Sequence, residues 1–207
     1  MRVFYFLEDL AHDGFIKALV TKIARQESIA SDRLIHEIRS ARGGSKVIVE
    51  FRKFMKDTMK LTAYNVDLLV VAIDGNCKGY QERIRNLEKY IKSGHPFKNK
   101  VVFAVPDPHI ERWYLLDQRA FKKGVGIDRA PDLPSYKCQK GYYKNLLNQT
   151  LKESDVASLL GGAEYGEMIV ENIQNLEALA RQEDGFEYFL SELRRLFRDW
   201  KRKRNHE

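Results

Sequence analysis

Residues 67–76, Asp-Leu-Leu-Val-Val-Ala-Ile-Asp-Gly-Asn, decide how the chain is read. Positions 68–73 are uninterruptedly apolar, β-branched at Val70, Val71 and Ile73, and end in the turn-forming Asp74-Gly75-Asn76. A strand with no polar alternation is covered on both faces, as in parallel α/β sheets. Residues 3–7 (VFYFL) and 100–105 (KVVFAV) have the same character, and a weaker strand is expected around 33–38. Between these runs lie amphipathic segments. Phe15, Leu19 and Ile23 follow a capping Asp13, and Val47, Ile48, Phe51, Phe54 and Met55 follow the Gly43-Gly44 turn. Further helices are expected over 80–92 and 110–116. Strand and helix in alternation predict right-handed βαβ crossovers, hence an α/β fold with a mainly parallel sheet flanked by helices.

The pattern changes near Gly126. Residues 127–141 hold Pro131 and Pro134 and no periodic run, so they read as a connecting loop. Only helices are expected beyond it, over 167–180 and 186–200. The second carries a stripe of Phe186, Phe189, Leu190, Leu193, Leu196, Phe197 and Trp200. Such a stripe is a packing face, directed at the sheet's own domain or at a second subunit in a homodimer. The expected organisation is an α/β domain over residues 1–126 and a helical extension over 127–207 that packs on it and ends in a basic tail.

Composition narrows the class. With 43% hydrophobic and 31% charged residues of mixed sign, the 207-residue chain can bury a core. It has no apolar run of membrane-spanning length, and Glu8 and Asp9 cut short the only stretch resembling a leader. A cytoplasmic protein with no membrane partner is expected. Cys77 and Cys138 lack metal-ligand spacing, so neither zinc nor a disulfide is expected and both read as reduced thiols. Of the net charge of +7, residues 194–204 supply +6: seven basic residues against Asp199. That tail, with Arg198 and Lys201, could hold a nucleic-acid backbone; a solvated helix end is the plainer account.

Parallel sheets place ligands at the carboxyl ends of their strands. Three such ends are acidic here: Glu8-Asp9, Asp74-Gly75-Asn76, and Asp107 with Glu111 one helical turn on. Carboxylates converging on one edge repel one another and lose hydration unless a cation compensates. Oxygen ligands of this kind suit Mg²⁺ or Mn²⁺, and phosphoryl chemistry is what such a metal best supports. Singly, each acid also reads as a helix cap or a turn. His12 and His109 stand next to the acids in sequence. Lys137 and Lys140 lie in the loop before the last helices, and all four are candidates for phosphate contact. Gly43-Gly44-Ser45-Lys46 lacks the glycine spacing of a Walker A loop.

These residues resemble the TOPRIM fold, the Mg²⁺-binding domain shared by topoisomerases, bacterial primases and OLD-family nucleases. Glu8 matches the glutamate that family carries after its first strand, and Asp74 the first acid of its Asp-x-Asp. A closer resemblance is to small TOPRIM-like proteins encoded beside ABC-type or SMC-like ATPases in antiphage defence operons. It is carried by Gly43-Gly44-Ser45-Lys46, by Ile73-Asp74-Gly75-Asn76, and by the run from Ala104 to Asp117 containing Pro108-His109-Ile110-Glu111-Arg112-Trp113. The resemblance implies a metal-dependent nuclease acting on DNA or RNA. Glu8, Asp74 and Glu111 would be its catalytic and metal residues, Asn76 and Asp107 would support those ligands from behind or complete the coordination, and an ATPase would be its partner. Asn76 replaces the family's second aspartate, which leaves a one-metal site or an inactive, TOPRIM-like interaction module as the alternative. A third reading is a phosphatase or nucleotidyl hydrolase acting on a small phosphorylated substrate.

Overall fold

Each long apolar run becomes a strand. In the computed structural model, which describes residues 1–39, 43–59, 65–133 and 135–204, β1 (Arg2–Leu7), β2 (Ile35–Ile38), β3 (Leu68–Ala72) and β4 (Val101–Ala104) form one sheet in the order β2-β1-β3-β4. All three pairings are parallel. Among the described residues nine α-helices connect and follow the strands: α1 (Leu10–Gln26), α2 (Gly44–Thr58), α3 (Tyr80–Glu88), α4 (Ile110–Tyr114), α5 (Gln118–Val125), α6 (Tyr142–Glu153), α7 (Gly166–Asn172), α8 (Leu176–Ala180) and α9 (Asp184–Arg204). The chain is therefore α/β, with an all-helical C-terminal stretch.

The absence of polar alternation has the expected cause. Phe4, Phe6, Leu69, Val71, Ile73 and Phe103 pack on one face with Val47, Phe51 and Met55 of α2 and Ile84 and Leu87 of α3. Val3, Tyr5, Leu7, Val70, Ala72 and Val102 pack on the other with α1 and the later helices. The aromatic stripe of α9 settles into that second layer: Phe186, Phe189, Leu193 and Phe197 are fully buried, with Trp113 edge-on to Phe186 at a centroid distance of 5.0 Å. The stripe covers the chain's own sheet.

Besides the cap of α1, which is Asp9 and not Asp13, a residue inside the helix, three local expectations change. The helix expected over 167–180 is two, because the Asn175 side chain accepts from Ala178 N and caps α8 separately. Helix α5, which the sequence reading passed over, starts where Asp117 accepts from Ala120 N. It packs on α7 so closely that a Cβ at Gly124 would lie 2.6 Å from Ile169 N. The third correction is chemical: Cys77 and Cys138 are joined in a disulfide, with Cα atoms 5.4 Å apart. Their separation of 61 residues concealed that the loop over 127–141 folds back onto the loop after β3. Among the described residues no helix is long and apolar enough to cross a membrane.

Candidate metal centre

β1 and β3 are neighbours in register, Leu7 beside Ala72, so the residues that follow them emerge together at the carboxyl edge. Glu8 N donates to Ala72 O at 3.0 Å, and Asp74 N donates to Glu8 Oε2 at 2.7 Å. The turn before α2 docks here as well, Gly43 N donating to Glu8 O at 2.7 Å. Asp74 is held from its other side: Oδ1 accepts Ile110 N at 2.9 Å and Oδ2 accepts His109 Nδ1 at 3.0 Å. Asp9 caps α1 by accepting His12 N and also takes His12 Nδ1 at 2.8 Å. That bond turns the fully buried imidazole so that Nε2 lies 3.3 Å from Asp74 Oδ1, at ion-pair distance but out of hydrogen-bond alignment.

Glu8, His12 and Asp74 thus form a group that could hold a metal ion, their ligand atoms all within 4.8 Å of one another. Its electrostatics are divided. Burial and the Asp74 charge push the Glu8 carboxyl up, against the opposing bond from Asp74 N. Burial also works against charge on Asp74 and on His12, but their mutual attraction wins. Asp74, helped by His109, falls to about 2, and His12, helped by Asp9, rises to about 10. At neutral pH Asp74 is therefore already paired with an imidazolium, while for Glu8 burial and the Asp74 charge outweigh the help it receives from His12. His12 Nε2 can ligate only by losing its proton, so the carboxylates are the donors a hard cation would take first.

A stability profile follows. His12 has a folded pKa above its ordinary 6.5, so its contribution is complete below that value and lost as pH rises through about 10. The Asp74 contribution is present above its ordinary 3.8 and lost as pH falls through about 2. Urea midpoints of the metal-free protein are expected to decline between about pH 6.5 and 10. The decline should flatten in His12→Gln; an unchanged slope would remove His12 as its source.

The remaining sequence candidates divide. Glu111 stands half-buried near Asp74 and both histidines, its carboxyl raised by burial and then by the Asp74 charge. Asp107 is not brought into the group: its two oxygens accept Cys77 N at 2.9 Å and Tyr136 OH at 2.6 Å, clamping two loops together. A Cβ on Gly75 would lie 2.7 Å from Asp107 Cγ, so this close approach requires glycine. Asn76 sits in the left-handed region at φ 50° and turns its amide back on Asp74 O at 3.3 Å. Lys137 and Lys140 are exposed, Lys137 Nζ lying over the Tyr142 ring. Arg198 and Lys201 are far from the acids. Arg198 pairs with the Glu27 carboxylate and Lys201 donates to Glu27 O. The end of α9 lies with Arg2 and Lys100 around a cavity of about 600 Å³ at the opposite edge of the sheet. His12 drew notice in the sequence only as a neighbour of acids; its i+3 spacing from the capping Asp9 was the signal for its role.

No protein-family model, curated protein or solved structure matches the chain.

Proposed function

We propose that the chain is a Mg²⁺- or Mn²⁺-dependent nuclease of TOPRIM type, with Glu8 and Asp74 as its metal ligands and Glu111 beside them. The observation that carries this is the meeting of Glu8, His12 and Asp74 at adjacent strand ends, within 4.8 Å. The donor set fits a hard cation, because burial and the Asp74 charge both disfavour the Glu8 carboxylate and such an ion would offset them. A cation there supplies Lewis-acid polarisation of a phosphoryl oxygen and a bound water of lowered pKa. The residues of the chain do the rest. Ile110 N and His109 fix the Asp74 carboxylate, and Asp74 N fixes that of Glu8. Glu8, with its raised proton affinity, is suited to move a proton as well as to bind.

The setting belongs to the same proposal: an effector of antiphage defence in the cytoplasm, acting on DNA or RNA beside an ABC- or SMC-type ATPase. In that compartment the Cys77–Cys138 bond meets the glutathione pool. A second reading, an inactive module that docks the ATPase, draws on two observations. Asn76 brings no charge, and His12 and His109 already compensate Asp74. Purified protein with Mn²⁺ or Mg²⁺ is tested on plasmid DNA and total tRNA, with thermal unfolding followed in parallel. Cleavage and a metal-induced rise in Tm, both lost in Asp74→Ala, support the nuclease. Neither effect in the wild type brings the docking module forward.

A further inference from the structure

On the α2 side of Glu8 lies a cavity of about 200 Å³ lined by Glu8, Ser45, Ile48, Ile73, Asn76 and Arg83. Arg83 projects from α3, and its Nε donates to Asp74 O and Gly75 O, both at 3.1 Å. These two bonds tie the guanidinium to the loop that carries Asp74. They use a single N–H of the five an arginine offers, leaving the four on the terminal nitrogens. Among the described residues those nitrogens have no hydrogen-bond or ion-pair partner, and no carboxylate lies within ion-pair distance of Arg83. A half-buried guanidinium anchored at one end, with its fork unused at a cavity, is a geometry suited to bidentate binding of a phosphate.

We infer that this cavity seats one phosphodiester of a nucleic-acid strand, gripped by the terminal nitrogens of Arg83. The inference rests on the nuclease reading, which it deepens by naming what Glu8 faces. Charge selects the diester. Among the described residues the cavity offers one cation, with the Glu8 carboxylate on its wall. With Arg83 and Glu8 cancelling, a singly charged diester adds one net negative charge to the cavity, whereas a phosphate monoester dianion would add two, so repulsion from Glu8 favours the diester. The exposed Ser45 hydroxyl and Asn76 amide stand at the rim as neutral donors, and Ile48 and Ile73 give an apolar wall against which a sugar can lie.

Binding of a fluorescein-labelled single-stranded oligonucleotide, as DNA and as RNA, is measured by anisotropy in EDTA for wild type, Arg83→Lys and Arg83→Gln. A lysine can satisfy the two loop carbonyls but has no fork left for phosphate. Both variants are therefore expected to lose about 10- to 100-fold in affinity, the worth of a charge-assisted hydrogen bond. Mn²⁺ affinity by calorimetry should stay unchanged in Arg83→Lys, which shows the loop intact. Affinity equal to wild type in Arg83→Lys overturns the inference, as does a wild type that binds no oligonucleotide with or without Mn²⁺. Competition by inorganic phosphate as strong as by the oligonucleotide overturns the choice of a diester. Arg83-dependent binding without metal-dependent cleavage keeps the phosphate seat and rejects the hydrolase. Cleavage with unaltered KM and affinity in Arg83→Lys does the reverse.

Discussion

Glu8→Gln and Asp74→Asn are both expected to lose metal-dependent cleavage, yet to move the stability of the metal-free protein in opposite directions. Loss of an outer-shell partner typically costs roughly 10- to 100-fold in metal affinity or activity, and loss of a ligand should exceed that. The stability effects differ because the two acids have different company. Burial and the Asp74 charge both disfavour the charged form of Glu8. Glutamine keeps an oxygen to accept from Asp74 N, so the substitution removes a repulsion and should raise the urea midpoint at neutral pH. Asp74 is the counter-ion of the fully buried His12, whose imidazolium its removal would strand. Breaking a buried pair from one side costs roughly 3–5 kcal/mol. Asp9 remains and the ring can release its proton, so Asp74→Asn should fall at or below that range. Urea midpoints at pH 7 without metal decide it: a stabilised Asp74→Asn or a destabilised Glu8→Gln would contradict the charge distribution described for the site. Persistent cleavage in both variants would remove the metal reading altogether.

Reduction of Cys77–Cys138, or Cys77→Ser with Cys138→Ser, is expected to lower stability by about 4 kcal/mol. That is the chain-entropy value for a closed loop of this length, given a separation of 61 residues. The change should be felt first where the bond joins the loop over 127–141 to the turn after β3. There Tyr136 OH holds Asp107, and Cys77 N holds the same carboxylate from the other side. Urea unfolding with and without a dithiol measures the difference, and thiol titration of unreduced, unfolded protein checks the bond itself. Two free thiols in that titration, or coincident unfolding curves, would refute the expected contribution.

Much of the fold was legible because its signals are local. Apolar runs at 68–73 and 101–105 without polar alternation required covering on both faces, and α2 and α3 on one side and α1 with the later helices on the other supply it. The parallel arrangement followed from helix-length connections, and with it came the edge on which Glu8 and Asp74 would meet. Helix ends were less legible, since a side-chain cap such as Asn175 or Asp117 competes with a hydrophobic period that runs straight through it.

The site was legible only in part. Strand ends say which residues share an edge but not which side chains converge, and rotamers and loop contacts make that selection. Asp107 shares the edge with Asp74, yet its oxygens are taken by Cys77 N and Tyr136 OH. His12 enters instead, because Asp9 turns its ring inward. The basic tail was visible as composition, but not that α9 would carry it to the far edge of the sheet, where Arg198 and Lys201 meet Glu27. By itself, then, the sequence determined the α/β class, the parallel sheet and the Glu8–Asp74 edge, because periodicity and strand-end position are properties of neighbouring residues. Only the tertiary structure decided the Cys77–Cys138 bond, the pairing of His12 with Asp74 and the anchoring of Arg83 on the Asp74 loop. Each joins residues whose approach depends on how separate elements pack.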